Sequence, residues 1–125
     1  MRLLLDTHIL LWWLEGSHKL TPQLRARISA ASAVYVSSVS IWETAIKVHS
    51  GKLNINLSTL ATKISSDGFL ELEISHRHAA KVAVLPSIRR DPFDRMLVAQ
   101  SMCETLKLLT SDRVLADYSD LVEIV

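Results

Sequence analysis

DPFDRMLVAQ, at positions 91–100, takes the chain from a charged turn directly into an apolar helical stretch. Asp91 is a good N-cap residue and Pro92 suits the first helical position, so the pattern predicts a helix from Pro92 to about Leu106. Asp91 and Asp94 then lie together at the start of that helix. Both carboxylates would also satisfy unpaired backbone N–H groups and complement the helix dipole, so helix capping alone explains this stretch.

The composition is that of a folded domain with a substantial apolar core. The 125 residues include only 3 Gly and 3 Pro, and 49% of them are hydrophobic. This length fits a single domain over residues 1–125, and the high apolar content indicates that a partner covers part of the surface. The formal net charge is +1, so any attraction to nucleic acid must come from local clusters of basic residues.

A single cysteine, Cys103, excludes an internal disulfide and a zinc site built from cysteines. The N-terminal apolar run is interrupted by Asp6 before a signal-peptide core can form, and no apolar run reaches membrane-spanning length. We therefore expect a soluble, cytoplasmic protein.

Short apolar runs alternate with helical patterns along the chain. The patterns predict strands near 2–5, 34–36, 70–74, 107–110 and 121–125, and helices near 8–14, 22–31, 40–50, 57–64, 75–84 and 92–106. Strands that alternate with helices favour an α/β fold whose central sheet is mostly parallel and is covered by helices on both faces.

Acidic residues occur where predicted strands give way to helices. Asp6 follows the first strand, Glu43 completes a capping-box pattern with Ser40 after the second, and Asp112 follows the strand near 107–110. In a parallel sheet these junctions gather at the edge formed by the carboxyl ends of the strands, where ligand sites normally form. Asp94, on the helix before that later strand, supplies a fourth acid.

Helix capping explains each of these acids singly, but it does not require several acids to converge. Converging carboxylates repel one another and raise one another's pKa values, and a divalent cation would relieve that repulsion. An all-oxygen cluster without cysteine suits Mg²⁺ or Mn²⁺. The chemistry that fits such an ion is phosphodiester hydrolysis by metal-activated water.

Four motifs in register resemble a PIN-domain protein of the VapC toxin family. They are Asp6-Thr7-His8, the segment from Ser37 to Glu43 with Trp42-Glu43-Thr44-Ala45-Ile46-Lys47 and Gly51-Lys52-Leu53, Asp91-Pro92-Phe93-Asp94-Arg95, and Leu109-Thr110-Ser111-Asp112. The match spans almost the whole chain. The resemblance implies a PIN-like three-layer sandwich with a sheet of about four or five strands. It also implies a metal-dependent endoribonuclease that acts as the toxin of a toxin–antitoxin pair.

The resemblance also implies roles for individual residues. The catalytic and metal-binding acids would be Asp6, Glu43, Asp94 and Asp112, with Mg²⁺ or Mn²⁺ as the cofactor. The hydroxyl groups that orient these carboxylates would be those of Thr7, Ser40 and Ser111. Asp91 fits the family's Asp-Pro-Phe-Asp-Arg motif as a residue that supports the acids or the substrate, although capping alone would also explain it, and Arg95 would meet a phosphate oxygen of the RNA. Further basic residues that flank the acidic edge are Lys47, Lys52, Arg89, Arg90 and Arg113.

The first predicted helix is apolar on more than one face, so it cannot bury all of its side chains against the sheet. The resemblance implies that this excess lines a groove with the second helix for a VapB-like antitoxin, or forms a homodimer face. Trp12, Trp13 and Trp42 are themselves expected in the core, because aromatic side chains supply much of the buried area.

Other protein classes also place an acid after the first strand. A phosphatase of the haloacid-dehalogenase type needs a second Asp where this chain has His8, and a response-regulator receiver needs an early pair of adjacent acids, which is missing. The alternative that stays open is a non-catalytic protein-binding module, in which the apolar N-terminal helices bind and the acids only cap helices. That module would have no affinity for divalent metal, and neutralising Asp6 or Asp94 would leave its function intact.

Overall fold

Five parallel strands form the central sheet of the computed structural model, which describes residues 1–125. The strands are β1 (Arg2–Leu5), β2 (Ala33–Ser37), β3 (Leu70–Leu72), β4 (Lys107–Thr110) and β5 (Val122–Ile124). Their order across the sheet is β3-β2-β1-β4-β5, and every neighbouring pair is parallel. The predicted α/β fold with a mostly parallel sheet is confirmed.

Six α-helices connect the strands. They are α1 (Thr7–Glu15), α2 (Pro22–Ser29), α3 (Ser38–His49), α4 (Leu57–Ser66), α5 (His76–Val82) and α6 (Pro92–Glu104), and a 3₁₀ turn at Arg113–Asp117 precedes β5. α1 ends at Gly16, whose left-handed backbone (φ 63°) suits a residue without Cβ. α2 begins after Thr21, whose hydroxyl accepts the N–H of Leu24. None of the helices combines the length and hydrophobicity that crossing a membrane requires.

Apolar side chains form a separate core on each face of the sheet. Leu3 and Leu5 of β1 belong to the cluster shared with α1, α2 and α4, whereas Leu4 belongs to the cluster shared with α3 and α6. All three leucines are fully buried, as expected for the central strand of a sheet that is covered on both faces. The layers are therefore helix, sheet and helix.

The direction in which successive strands are added to the sheet reverses at β1, because β2 lies on one side of that strand and β4 on the other. The crevice outside the carboxyl ends of the strands at such a point is the usual ligand site of an open α/β sheet. Leu5 is in register with Leu109, and the N–H of Asp6 donates to the Leu109 carbonyl at 3.0 Å. The residues that follow β1 and β4 therefore leave the sheet side by side.

α3 begins earlier than the sequence predicts, and this changes the interpretation of Glu43. The predicted capping box from Ser40 to Glu43 is wrong, because the N-cap is Ser37, whose hydroxyl accepts the N–H of Val39 at 3.1 Å. Ser37 is the last residue of β2 and is still extended, and the helix begins at the next residue, Ser38. Ser40 therefore already lies inside the helix. Glu43 consequently lies beyond the first turn and has no capping role.

The expectation that all three tryptophans lie in the core is wrong for Trp42. Trp12 and Trp13 are partly buried and pack against the core shared with α1, α2 and α4, whereas Trp42 is 58% exposed. The buried residues of α3 are Val39, Ser40, Glu43 and Thr44. Trp42 and Ile46, which are four residues apart and both exposed, share the solvent side of that helix.

Candidate active site

Asp6 lies at the carboxyl end of β1, at the N-cap position of α1. It is only 3% exposed and its carboxylate makes no capping hydrogen bond. That carboxylate instead accepts a hydrogen bond of 2.6 Å from Thr110 Oγ1. Burial raises the pKa of Asp6 above its ordinary value and the charge of Glu43 raises it further, whereas Thr110 and His8 oppose the rise. Asp6 is therefore a buried acid that does not cap its own helix.

Glu43 comes from a different part of the chain but belongs to the same cluster. It is buried on the inner side of α3, and its carboxylate lies 3.5 Å from Lys47 Nζ, one helical turn further on. The charge of Glu43 contributes to the raised pKa of both Asp6 and Asp94. These three acids therefore share one negative field, although they lie on three separate segments.

Asp94 lies in the first turn of α6, and it is a partly exposed acid whose pKa is strongly raised. Burial first, and then the charges of Asp91, Asp6 and Glu43, raise the pKa of Asp94 to about 7, while the charge of Arg89 opposes them. A carboxyl group with a pKa near neutrality indicates a site with an excess of negative charge.

Asp91 holds the start of α6 in place. Its Oδ1 accepts the N–H of Phe93 at 2.8 Å and the N–H of Asp94 at 3.2 Å. The sequence prediction of an N-cap followed by Pro92 at the first helical position is confirmed. Asp91 therefore acts on the site in two ways, because its cap fixes the backbone of Asp94 and its charge raises the pKa of that residue.

Asp112 follows β4 and caps the 3₁₀ turn through a bond of 3.1 Å from the N–H of Val114 to its Oδ1. Its carboxylate is also ion-paired with Arg89, whose Nη2 lies 2.9 Å from Oδ1 and 2.7 Å from Oδ2. The positive charge of Arg89 also opposes the raised pKa of Asp94. Within the predicted quartet, Asp112 and Glu43 therefore each have a basic partner, Arg89 and Lys47, whereas Asp6 and Asp94 form no ion pair.

The hydroxyl groups at the site are arranged differently from the prediction. Thr7 Oγ1 lies 2.9 Å from Ser40 Oγ, so this pair joins the start of α1 to α3. Ser111 is exposed, and it is Thr110, one residue earlier, that contacts Asp6. Sequence reasoning missed Thr110, and the signal that could have found it is the pairing of β4 beside β1.

Arg95 holds the segment between α5 and α6 instead of pointing into solvent. Its Nη1 donates to the Pro86 carbonyl and its Nη2 to the Val82 carbonyl, both at 2.9 Å. The Tyr118 hydroxyl accepts from Arg95 Nη1 at 3.2 Å and from the N–H of Arg89 at 2.8 Å. Arg95 therefore has a structural role, because its terminal nitrogens bind carbonyl groups at the end of α5 and in the segment that carries Arg89. Its contact with an RNA phosphate stays a prediction.

The donors at this edge of the sheet suit a hard divalent cation. No group of three or more His, Cys, Asp or Glu side chains is placed as a ready-made metal-binding set. Mg²⁺, however, keeps several of its waters and binds proteins through only one or two carboxylates. Burial and, after it, the charges of neighbouring acids raise the pKa values of Asp6 and Asp94, and such a cation would neutralise the negative charge. The carboxylates present therefore fit an ion bound partly through water.

Known proteins resemble this chain over nearly its full length. Ribonuclease VapC22 of Mycobacterium tuberculosis is 26% identical over 117 residues, which are 92% of this chain and 90% of that relative. The structure of VapBC2 from Rickettsia felis bound to a promoter DNA fragment matches with a TM-score of 0.72 at 13% identity, covering 98% of this chain and 96% of that chain. FitAcB from Neisseria gonorrhoeae matches with a TM-score of 0.64 at 19% identity, covering 99% and 96% of the two chains.

A toxin–antitoxin complex from Klebsiella pneumoniae matches with a TM-score of 0.62 at 18% identity, covering 88% of this chain and 86% of that chain. At such identities these structural matches establish the fold. The family model described as PIN domain matches residues 3–121, a range that includes all four acids of the predicted quartet. This chain therefore belongs to the PIN domain family.

Proposed function

We propose that this PIN-domain chain is a divalent-metal-dependent endoribonuclease. The observation that carries the proposal is the shared negative field of Asp6, Glu43 and Asp94 at the carboxyl edge of a parallel sheet: together with burial and the charge of Asp91, the charges of Asp6 and Glu43 raise the pKa of Asp94 to about 7. Helix capping does not account for this field, because Asp6 makes no capping bond and Glu43 lies beyond the first turn of α3. The likeness to a curated ribonuclease supports RNA as the substrate.

In this proposal Asp6, Glu43, Asp94 and Asp112 would hold Mg²⁺ or Mn²⁺ through direct or water-mediated contacts. A bound ion would supply Lewis-acid stabilisation and an activated water for attack on the phosphodiester. Thr110 keeps the Asp6 carboxylate in place through its hydrogen bond of 2.6 Å. Lys47 and Arg89 put positive charge beside Glu43 and Asp112, where RNA phosphates would lie.

Cleavage of total cellular RNA by the purified chain tests this proposal. We expect cleavage with Mg²⁺, none with EDTA, and none by an Asp94→Asn variant whose fold is verified by circular dichroism. Asp117→Asn is the matched control, since it removes the same charge from an exposed acid of the 3₁₀ turn and should cleave like wild type. Equal cleavage by Asp94→Asn, or cleavage in EDTA, would instead favour a non-catalytic binding module.

We further propose that the chain is the toxin of a VapBC-type pair and binds a VapB-like antitoxin. The likeness to solved toxin–antitoxin complexes supports this role. A groove of about 460 Å³ beside α1 and α2, which includes Trp12 and Leu24, offers a surface for an antitoxin segment. We expect expression of the chain to arrest bacterial growth and co-expression of the antitoxin to restore it, whereas growth unaffected by the chain alone would contradict the toxin role.

A homodimer is part of the same proposal. Leu70 of the edge strand β3 and Ile74 just beyond it are 47% and 39% exposed, so the single chain leaves apolar surface uncovered. Sedimentation velocity should show a species of twice the monomer mass, and a monomer at all concentrations would contradict the homodimer.

A further inference from the structure

Two aromatic side chains bridge α3 and α6 beside the acidic cluster. Trp42 directly precedes Glu43, and Phe93 directly precedes Asp94. The ring centroids lie 5.2 Å apart with the ring planes at 76°, which is an edge-to-face contact. Trp42 is 58% exposed and Phe93 is partly exposed. The pair therefore presents aromatic surface to solvent at the start of α6, next to Asp94.

We propose that the Trp42–Phe93 pair is a base-stacking subsite that binds an unpaired nucleobase next to the phosphodiester to be cleaved. The inference rests on the ribonuclease function proposed above and specifies single-stranded RNA as its substrate. Proteins bind single strands by stacking successive bases on exposed aromatic rings, a contact that tolerates any base. Lys47, on the same helix as Trp42, supplies positive charge for a neighbouring phosphate.

The position of the pair distinguishes RNA from other occupants. Packing in the core does not explain Trp42, because α3 buries its opposite side through Val39, Glu43 and other residues. A second copy of this chain is the other partner that an exposed tryptophan could bind. Because Phe93 directly precedes Asp94 in the first turn of α6, a protein surface seated on both rings would also cover the approach to Asp94, whereas a nucleobase there keeps its own phosphate beside that acid.

RNA binding measured in EDTA separates stacking from cleavage. The probes are an oligoadenylate of about ten nucleotides and a base-free ribose-phosphate strand of the same length. Trp42→Leu removes the ring but keeps an apolar side chain, and Trp42→Tyr keeps a ring. Ile46→Ala is the matched control, because Ile46 is exposed on the same side of α3. The readout for every variant is affinity, and wild type and Ile46→Ala, which keep Trp42, also report binding by the quenching of tryptophan fluorescence.

We expect Trp42→Leu to weaken oligoadenylate binding on the order of tenfold, while Trp42→Tyr and Ile46→Ala bind nearly as wild type does. The base-free strand should bind wild type and Trp42→Leu equally. Binding by Trp42→Leu as tight as that of wild type, or an equal loss of affinity in Trp42→Tyr, would overturn the subsite. A dimer that Trp42→Leu dissociates would assign the ring to a second copy and would also overturn it.

Cleavage in Mg²⁺ separates the failure of this subsite from the failure of the proposed function. We expect Trp42→Leu to raise the KM for single-stranded RNA with little change in kcat, because the acids are untouched. If wild type cleaves RNA and Trp42→Leu has the same KM, the stacking subsite alone is overturned. If wild type neither binds nor cleaves RNA, the ribonuclease function fails and the subsite fails with it.

Discussion

The pKa of Asp94 is set by its neighbours more than by its place at a helix N-terminus. A helix N-terminus favours an ionised carboxylate, yet burial and the charges of Asp91, Asp6 and Glu43 raise the pKa of Asp94 to about 7. Asp91 and Asp94 could be placed together from the sequence, because they are three residues apart at a helix start. The other two charges come from distant segments, so their contribution depends on the folded sheet.

Asp94→Asn is expected to stabilise the metal-free protein at about pH 8. The native pKa of Asp94 exceeds the unfolded value, so the native state binds more protons than the unfolded state between about pH 4 and pH 7, and stability falls as pH rises through that window. Asn removes this loss, and we expect a gain of about 1–2 kcal/mol, discounted for solvent screening of this partly exposed group. Urea unfolding in EDTA at about pH 5 and pH 8 measures the effect. A variant less stable than wild type at the higher pH would contradict the expectation.

Thr110→Val removes the hydroxyl group that binds the Asp6 carboxylate at 2.6 Å. Without that hydrogen bond the already raised pKa of Asp6 rises further, so protons compete better with a cation. We expect the free energy of unfolding to fall by about 1–2 kcal/mol and Mn²⁺ affinity, measured by calorimetry, to fall roughly tenfold. Ser111→Ala is the control, since Ser111 is exposed. Equal Mn²⁺ affinities of the two variants would rule out the role of Thr110.

Helices are predictable where a local cap fixes their ends, and α3 shows where local signals fail. Asp91 before Pro92 and Gly16 after α1 mark helix ends unambiguously. Ser37 and Ser40 are both good N-cap residues, so the sequence alone leaves two possible starts for α3. The pairing of β2 with β3 decides between them, because Ser37 is still paired in register with Leu72 and the helix begins directly after it.

Arg95 is expected to hold the segment between α5 and α6, which carries Arg89. Arg95→Lys keeps the charge but loses the planar fork that donates to carbonyls and to the Tyr118 hydroxyl, so we expect a loss of about 2–3 kcal/mol. Limited proteolysis should cut residues 83–90 faster in this variant. Arg90→Lys is the control, because Arg90 is exposed and its side chain makes no hydrogen bond or ion pair. Identical cleavage rates in the two variants would contradict the structural role of Arg95.

α5 and α6 are joined by polar contacts of Arg77 and His78 with Glu104, and these contacts should weaken at acidic pH. Glu104 Oε2 lies 2.7 Å from His78 Nε2 and 3.3 Å from Arg77 Nη1, and the hydrogen bond to His78 lowers the pKa of Glu104. Because the native pKa is lowered, this stabilisation is present above the ordinary glutamate pKa of about 4.3 and is lost as pH falls through the native value.

Glu104→Gln should therefore lower the Tm at neutral pH, and its Tm difference from wild type should shrink below about pH 4. Thermal unfolding across that range measures both effects. Glu71→Gln, at an exposed glutamate, is the control and should match wild type at every pH. A Tm difference for Glu104→Gln that is constant with pH would show that the interaction does not depend on ionised Glu104.

The strand order of the whole sheet determines which acids meet. Alternating strands and helices could predict a parallel α/β sheet, but not that β4 lies beside β1, because that neighbour is selected by packing between distant segments. This pairing brings Thr110 to Asp6, and the chain segment held by Arg95 and Tyr118 brings Arg89 to Asp112. The four acids could be named from the sequence, whereas the ion pair between Arg89 and Asp112 and the effect of Asp6 on the pKa of Asp94 depend on these long-range contacts.

An anomalous difference map from crystals grown with Mn²⁺ is the most direct test of the acidic cluster as a metal centre. We predict a Mn²⁺ peak among the carboxylates of Asp6, Glu43 and Asp94 that is absent from Asp94→Asn crystals grown in the same way. A map without a peak at this edge of the sheet, or with an unchanged peak in Asp94→Asn, would contradict the assignment of these carboxylates to a metal ion.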